Sequence, residues 1–276
     1  MYEYKLGLYE KAMPDDMPLT EKLLLTRELG YDYMELCVDL HPERAKRLDW
    51  TKEERWELVK FLRENDLQLV TLSMSVLRRC PIGFSEESAQ EFLRTMEQGL
   101  QLACDLGARI ILFNGYDTFN TPSNDETKAR LHRYLPQVAA LAARYGVVIG
   151  MENADQKYVD TIEKATSIVK EVNSPWMRVY ADFANAAVTY DGDMDKCEQD
   201  IYIGEGYVAA MHLKDAIPGD YRYAGYGKGM VDMQRMIDAC KKMSLRIFTA
   251  ELFLYADCDD YRAQAQYVHD YLRKFF

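Results

Sequence analysis

Short apolar runs rich in β-branched residues alternate with longer amphipathic segments about eight times along this chain, and that alternation restricts its fold more than any other feature. The extended runs are Lys5–Tyr9, Tyr31–Asp39, Leu67–Ser75, Arg109–Asn114, Val147 to Glu152, and three later ones that reach Asp182, Lys214 and Phe253. Helical patterns follow them over Thr20–Leu29, Thr51–Glu64, Ser88–Leu106, Asp125–Tyr145 and Thr161–Val172, near Met194, over Asp232–Met243, and in a closing segment to Arg273. Thr20 stands where it could cap its helix with Gly30 ending it, and Thr51 with Glu54 has capping-box spacing. Alternating units force parallel strands with right-handed crossovers, and about eight of them close into a barrel. An open doubly wound sheet is the rival, but no strand-to-helix turn carries a GxGxxG phosphate cradle. With 276 residues, 48% of them hydrophobic, the chain has material for one large core. The expectation is an α/β protein, a single (β/α)8 TIM barrel domain over residues 1–276.

In such a barrel the carboxyl ends of the strands share one rim, where catalytic residues gather. Four late runs each deliver a metal-ligating side chain there: Val147-Val-Ile-Gly-Met-Glu152, Arg178-Val-Tyr-Ala-Asp182, Val208-Ala-Ala-Met-His212 and Arg246-Ile-Phe-Thr-Ala-Glu251. Three carboxylates and one imidazole form a hard, oxygen-rich set suited to one divalent ion, Mn²⁺, Mg²⁺ or Zn²⁺. Clustered acids without a cation repel and take up protons, so a bound divalent ion is what keeps several of them ionised together.

The formal charge of −11 opposes binding to phosphate backbones, so no nucleic-acid partner is expected. No stretch approaches the roughly 20 apolar residues that span a bilayer, and the amino terminus lacks a secretory pattern, so a cytoplasmic protein without membrane contact is expected. Six scattered cysteines form no CxxC pair and read as reduced packing residues. Among the four histidines, His41, His132 and His269 read as solvent-facing or packing residues. Twenty tyrosines, dense around Tyr2 and Tyr221, offer a surface for a homodimer.

The segments Gly7-Leu-Tyr-Glu-Lys-Ala-Met-Pro14, Leu48-Asp-Trp50, Gly115-Tyr-Asp117, Asn124-Asp-Glu-Thr127, Asn173-Ser-Pro-Trp176 and His212-Leu-Lys-Asp215 together resemble the L-xylulose/L-ribulose 5-phosphate 3-epimerases of the xylose-isomerase-like superfamily. The resemblance runs nearly end to end. It implies that Glu152, Asp182, His212 and Glu251 are metal ligands, that the substrate is a small sugar phosphate, and that Asn185 contacts it. Inverting a carbon beside a carbonyl removes a proton from one face and returns another on the opposite face, so two acid/base groups must flank the plane. Glu152 and Glu251 are assigned that work, and by analogy with the family they exchange roles with reaction direction. A phosphorylated substrate needs cationic or backbone N–H partners. Lys11, Arg78 beside Arg79, Arg222, Lys228 and the run Gly225-Tyr-Gly-Lys-Gly229 are the candidates. Alternative readings within the enzyme class are a 3-epimerase of unphosphorylated ketoses, a hydroxypyruvate-type isomerase and an inosose-type dehydratase. Outside it stand a catalytically silent sugar binder and an abasic-site endonuclease, the latter opposed by the acidity and by too few histidines for a multi-metal centre.

Overall fold

The computed structural model of the protein describes residues 3–155, 157–221, 225–255 and 258–276. Tyr2 and Arg222 lie outside the described residues. Among the described residues, eight parallel strands pair in chain order and the last closes onto the first. They are β1 (Lys5–Tyr9), β2 (Tyr33–Cys37), β3 (Leu69–Ser73), β4 (Ile110–Asn114), β5 (Val148–Glu152), β6 (Met177–Asp182), β7 (Val208–Leu213) and β8 (Ile247–Ala250). The helices are α1 (Leu19–Glu28), α2 (Pro42–Ala45), α3 (Lys52–Glu64), α4 (Glu86–Leu106), α5 (Asp125–Tyr145), α6 (Ile162–Val172), α7 (Phe183–Thr189), α8 (Met194–Ile203), α9 (Met233–Lys242) and α10 (Tyr261–Arg273). The barrel expected from the alternation is the fold observed.

Local chemistry sets most boundaries. The Thr51 hydroxyl accepts from the Glu54 amide at 3.2 Å while the Glu54 carboxylate accepts from the Thr51 amide at 2.7 Å, the reciprocal cap expected for α3. Helix α1 departs from expectation: Pro18 holds the cap position, its carbonyl accepts from the Glu21 and Lys22 amides, and Thr20 falls inside the first turn. Helix α4 begins two residues earlier than its apolar pattern, because the Ser85 hydroxyl accepts from the Ser88 amide at 3.1 Å. Strand β8 stops at Ala250 instead of Phe253, since the Leu252 amide turns back to the Ala250 carbonyl. The Glu251 amide still bonds the Leu213 carbonyl at 2.9 Å, so β7 continues to hold the residue that follows β8.

Alternate strand residues face the barrel interior. Two inward glycines make room there for large neighbours. A Cβ on Gly7 would lie 2.4 Å from the Tyr33 ring, and one on Gly150 would lie 2.8 Å from Tyr180 Cβ. The tyrosines so admitted cross the interior, and each hydroxyl comes within 2.8 Å of Thr249 Oγ1. Tyr180 also packs with Ile110, Leu112 and Ala210 in a small cluster separate from the main core. The interior below the rim is therefore filled and partly polar, and the open space lies above it.

Candidate active site at the carboxyl rim

Four strand ends bring their side chains to one point. Glu152 closes β5, Asp182 closes β6, His212 lies one residue before the end of β7, and Glu251 follows β8 directly. One ligand atom from each lies within 4.8 Å of all the others. Asp182 serves two elements at once. Its Oδ1 accepts from the Ala184 and Asn185 amides at 2.8 and 2.9 Å and so caps α7. Its Oδ2 is buried and 2.7 Å from Lys214 Nζ, yet accepts no aligned hydrogen bond from the described residues. His212 Nδ1 lies 3.1 Å from Glu152 Oε1 and 3.7 Å from Glu251 Oε2, and its Nε2 lies 2.8 Å from Glu35 Oε1.

The electrostatics follow from crowding acids in a dry place. Burial raises the Asp182 carboxyl, Lys214 opposes the rise, and the Glu251 and Glu152 charges add to it, leaving Asp182 at about 6. Burial works against charge on His212, but Glu35 and Glu251 outweigh it and hold the imidazolium well above its ordinary range. Lys214 is likewise held protonated against burial by Asp182, Glu251 and Glu152, and its ammonium reaches Glu251 Oε2 at 2.8 Å. The set fits a divalent ion: hard oxygen donors with one imidazole, an excess of negative charge, and a buried Asp182 oxygen with no hydrogen bond of its own.

Above the four residues, the cavity is lined by Tyr9, Lys11, Arg78, Asn114, Tyr116, Asn185, Lys214 and Tyr221 among others. The Arg78 guanidinium has neutral partners, donating to Asn114 Oδ1 at 3.2 Å and Tyr116 OH at 3.3 Å, and it lies over the Tyr116 and Phe119 rings. Lys11 lines the same cavity but is paired with Asp39 at 2.8 Å. Asn185 donates to the Asn153 carbonyl at 2.8 Å, while its Oδ1 is buried without a partner among the described residues.

Two of the sequence expectations change. Lys228 is exposed and lines not the central cavity but a neighbouring one with Tyr255, Gln264 and Tyr267, which shares Lys214 and Glu251 with the central one. Within the Gly225–Gly229 run, the Gly227 and Gly229 amides are turned inward, donating to Asp215 Oδ2 at 3.0 and 2.9 Å, and the Lys228 amide donates to the Gly225 carbonyl at 2.9 Å. Asp215 also takes the Ala216 and Val231 amides, so this carboxylate organises the loop from within. The other histidines stand apart from the cavity: His132 bonds Tyr158 and Glu171, and His269 bonds the Gly30 carbonyl. Sequence reasoning missed Glu35 and Lys214. A period-2 reading beyond His212 would have placed Lys214 on the same inward face, whereas Glu35 sits within an apolar run and gives no such signal.

Residues 23–275 match the family described as the xylose isomerase-like TIM barrel. The chain is 34% identical to the L-ribulose-5-phosphate 3-epimerase UlaE of Salmonella heidelberg (strain SL476) over 238 residues, covering 86% of this chain and 82% of that protein. The D-psicose 3-epimerase of Clostridium cellulolyticum H10, solved with D-tagatose, has a TM-score of 0.82 at 14% identity, covering 98% of this chain and 99% of that one. The IolI protein solved with a zinc atom has a TM-score of 0.78 at 19% identity, covering 99% of each chain. At those identities the two structures speak for the fold. The chain belongs to the xylose isomerase-like TIM barrel family and, within it, to the L-ribulose-5-phosphate 3-epimerase group of sugar epimerases.

Proposed function

We propose that the protein is a metal-dependent 3-epimerase that interconverts L-ribulose 5-phosphate and L-xylulose 5-phosphate. The observation that carries this reading is the convergence of Glu152, Asp182, His212 and Glu251 at the barrel rim. A divalent ion held by these four would supply electrostatic stabilisation of the negative charge that develops on the substrate oxygens. The rest falls to the chain. Glu152 and Glu251 stand on strand ends separated by β6 and β7, and they carry the proton off and onto the two faces of C3. Their surroundings differ: Glu152 Oε2 accepts from the Asn114 amide and Glu251 Oε2 from the Lys214 ammonium. The acceptor of Asn185 takes a substrate hydroxyl, and Arg78, lying over two aromatic rings, takes the phosphate. The pairing of Lys11 with Asp39 favours a second substrate class, the unphosphorylated ketoses, because it removes one cation from the phosphate set.

The test is metal-loaded protein in D₂O with a panel of ketopentose phosphates and free ketoses, followed by NMR. Inversion with deuterium at C3 of the pentulose phosphates is expected, and it should vanish on chelation and in His212→Ala. Stoichiometric metal with turnover of free ketoses alone would transfer the assignment to the second class. Wild-type protein that binds no metal under replete conditions would overturn the reading.

A further inference from the structure

Beneath the four rim residues lies a fourth carboxylate that the reaction does not use. Glu35, in the middle of β2, is fully buried and cut off from the cavity. Its Oε2 accepts from the Thr71 and Tyr180 hydroxyls at 2.6 Å each, and its Oε1 faces His212 Nε2 alone at 2.8 Å. Thr249 adds a longer contact to Oε2 at 3.4 Å. These partners come from β3, β6, β7 and β8, so the carboxylate gathers polar groups from across the barrel interior.

A charge in such a place needs a reason, because an apolar side chain of similar volume would commonly be no less stabilising. An ionised carboxylate only accepts, and a neutral imidazole carries a single N–H. With Glu35 claiming Nε2–H, the lone pair of a neutral His212 must lie on Nδ1, the atom that faces Glu152 and Glu251. We propose that Glu35 is a positioning residue that holds His212 by Nε2–H and thereby presents Nδ1 to the divalent ion. The proposal rests on the metal reading above, and it adds a residue that never touches the ion.

The probe is Mn²⁺ itself, titrated against wild type, Glu35→Met, Glu35→Gln and His212→Ala, with thermal unfolding of each in parallel. Losing the acceptor in Glu35→Met should weaken Mn²⁺ binding roughly 10- to 100-fold. Glu35→Gln keeps an oxygen facing Nε2 and should recover most of that loss. Nitrogen-15 NMR of Zn²⁺-loaded wild type, with only four histidines to assign, should show His212 metallated at Nδ1 and protonated at Nε2. A Met variant with wild-type Mn²⁺ affinity, or both variants losing thermal stability with no change in affinity, overturns the proposal, as does zinc on Nε2. If Glu35→Met does not fold, the Gln variant and the wild-type spectrum decide. Wild type that binds no Mn²⁺ overturns this proposal together with the metal reading. Binding that is lost in His212→Ala but unmoved in the Glu35 variants overturns this proposal alone.

Discussion

Replacing Lys214 by Met tests how the metal-free rim is held together. Its ammonium lies 2.7 Å from Asp182 Oδ2 and 2.8 Å from Glu251 Oε2, and the side chains of Lys214, Asp182 and Glu251 are 8%, 0% and 10% exposed. All three are far enough from solvent that the interaction is not discounted as a surface pair would be. Removing one partner of a buried pair costs about 3–5 kcal/mol, because the charge left behind has no compensation. Protonation offers an escape. Asp182 in the intact protein already titrates at about 6, above its ordinary 3.8, and loss of Lys214 raises it further. A folded-state pKa above the unfolded value means that the native state holds more protons, so stability falls as pH rises through the folded value, by about 1.4 kcal/mol per unit. The penalty of Lys214→Met should therefore be full at pH 8 and much smaller at pH 5. At about 2–4 °C per kcal/mol, the melting temperature at pH 8 should drop on the order of 10 °C. Urea and thermal unfolding of chelator-treated protein at both pH values would measure this. A pH 8 loss below about 0.5 kcal/mol, or an equal loss at both pH values, would refute the argument. Mn²⁺ should also bind the variant at least as tightly as wild type, since a competing positive charge is gone.

Arg78→Ala should raise KM for a ketopentose phosphate by roughly one to two decades, the worth of about 1.5–3 kcal/mol for a charge-assisted contact, and should affect a free ketose far less. Equal losses on both substrates would remove Arg78 from the phosphate site. Glu152→Gln and Glu251→Gln should each keep metal while epimerisation falls by about two decades or more. In D₂O each variant should exchange the C3 proton of one epimer without inverting it, and the two should label opposite epimers; exchange of both with inversion in either variant would make that glutamate a ligand only. Away from the site, burial raises Asp200 to about 6 although its oxygens accept the Ile162 and Glu163 amides at 2.8 and 2.7 Å. Its raised value predicts that wild type loses up to about 3 kcal/mol between pH 4 and 6 that Asp200→Asn does not lose, and parallel unfolding profiles would contradict it.

The parts of the site that were legible in the sequence share one property: each announces itself within a few residues. Glu152, Asp182, His212 and Glu251 all terminate apolar runs, and the end of a buried strand is a place the local pattern marks. Caps such as Thr51 with Glu54 are legible for the same reason. Thr20 misled because the helix start was decided by the carbonyl of Pro18, which sequence spacing alone does not rank against a hydroxyl. The Gly225–Gly229 run misled because glycine permits close approach without saying to what, and here the occupant is the chain's own Asp215.

By itself the sequence determined the eight-unit alternation, the parallel barrel it forces, and the four rim residues, because periodicity and strand ends are properties of short windows. Tertiary structure alone decided which charges meet. Glu35 reaches His212 across 177 residues of sequence and Tyr180 across 145, and Lys214 meets Glu251 across 37. The Lys214 contact follows from the pairing of β7 with β8, and the Glu35 contacts cross an interior whose facing side chains are set when β8 closes onto β1; no local pattern carries that register.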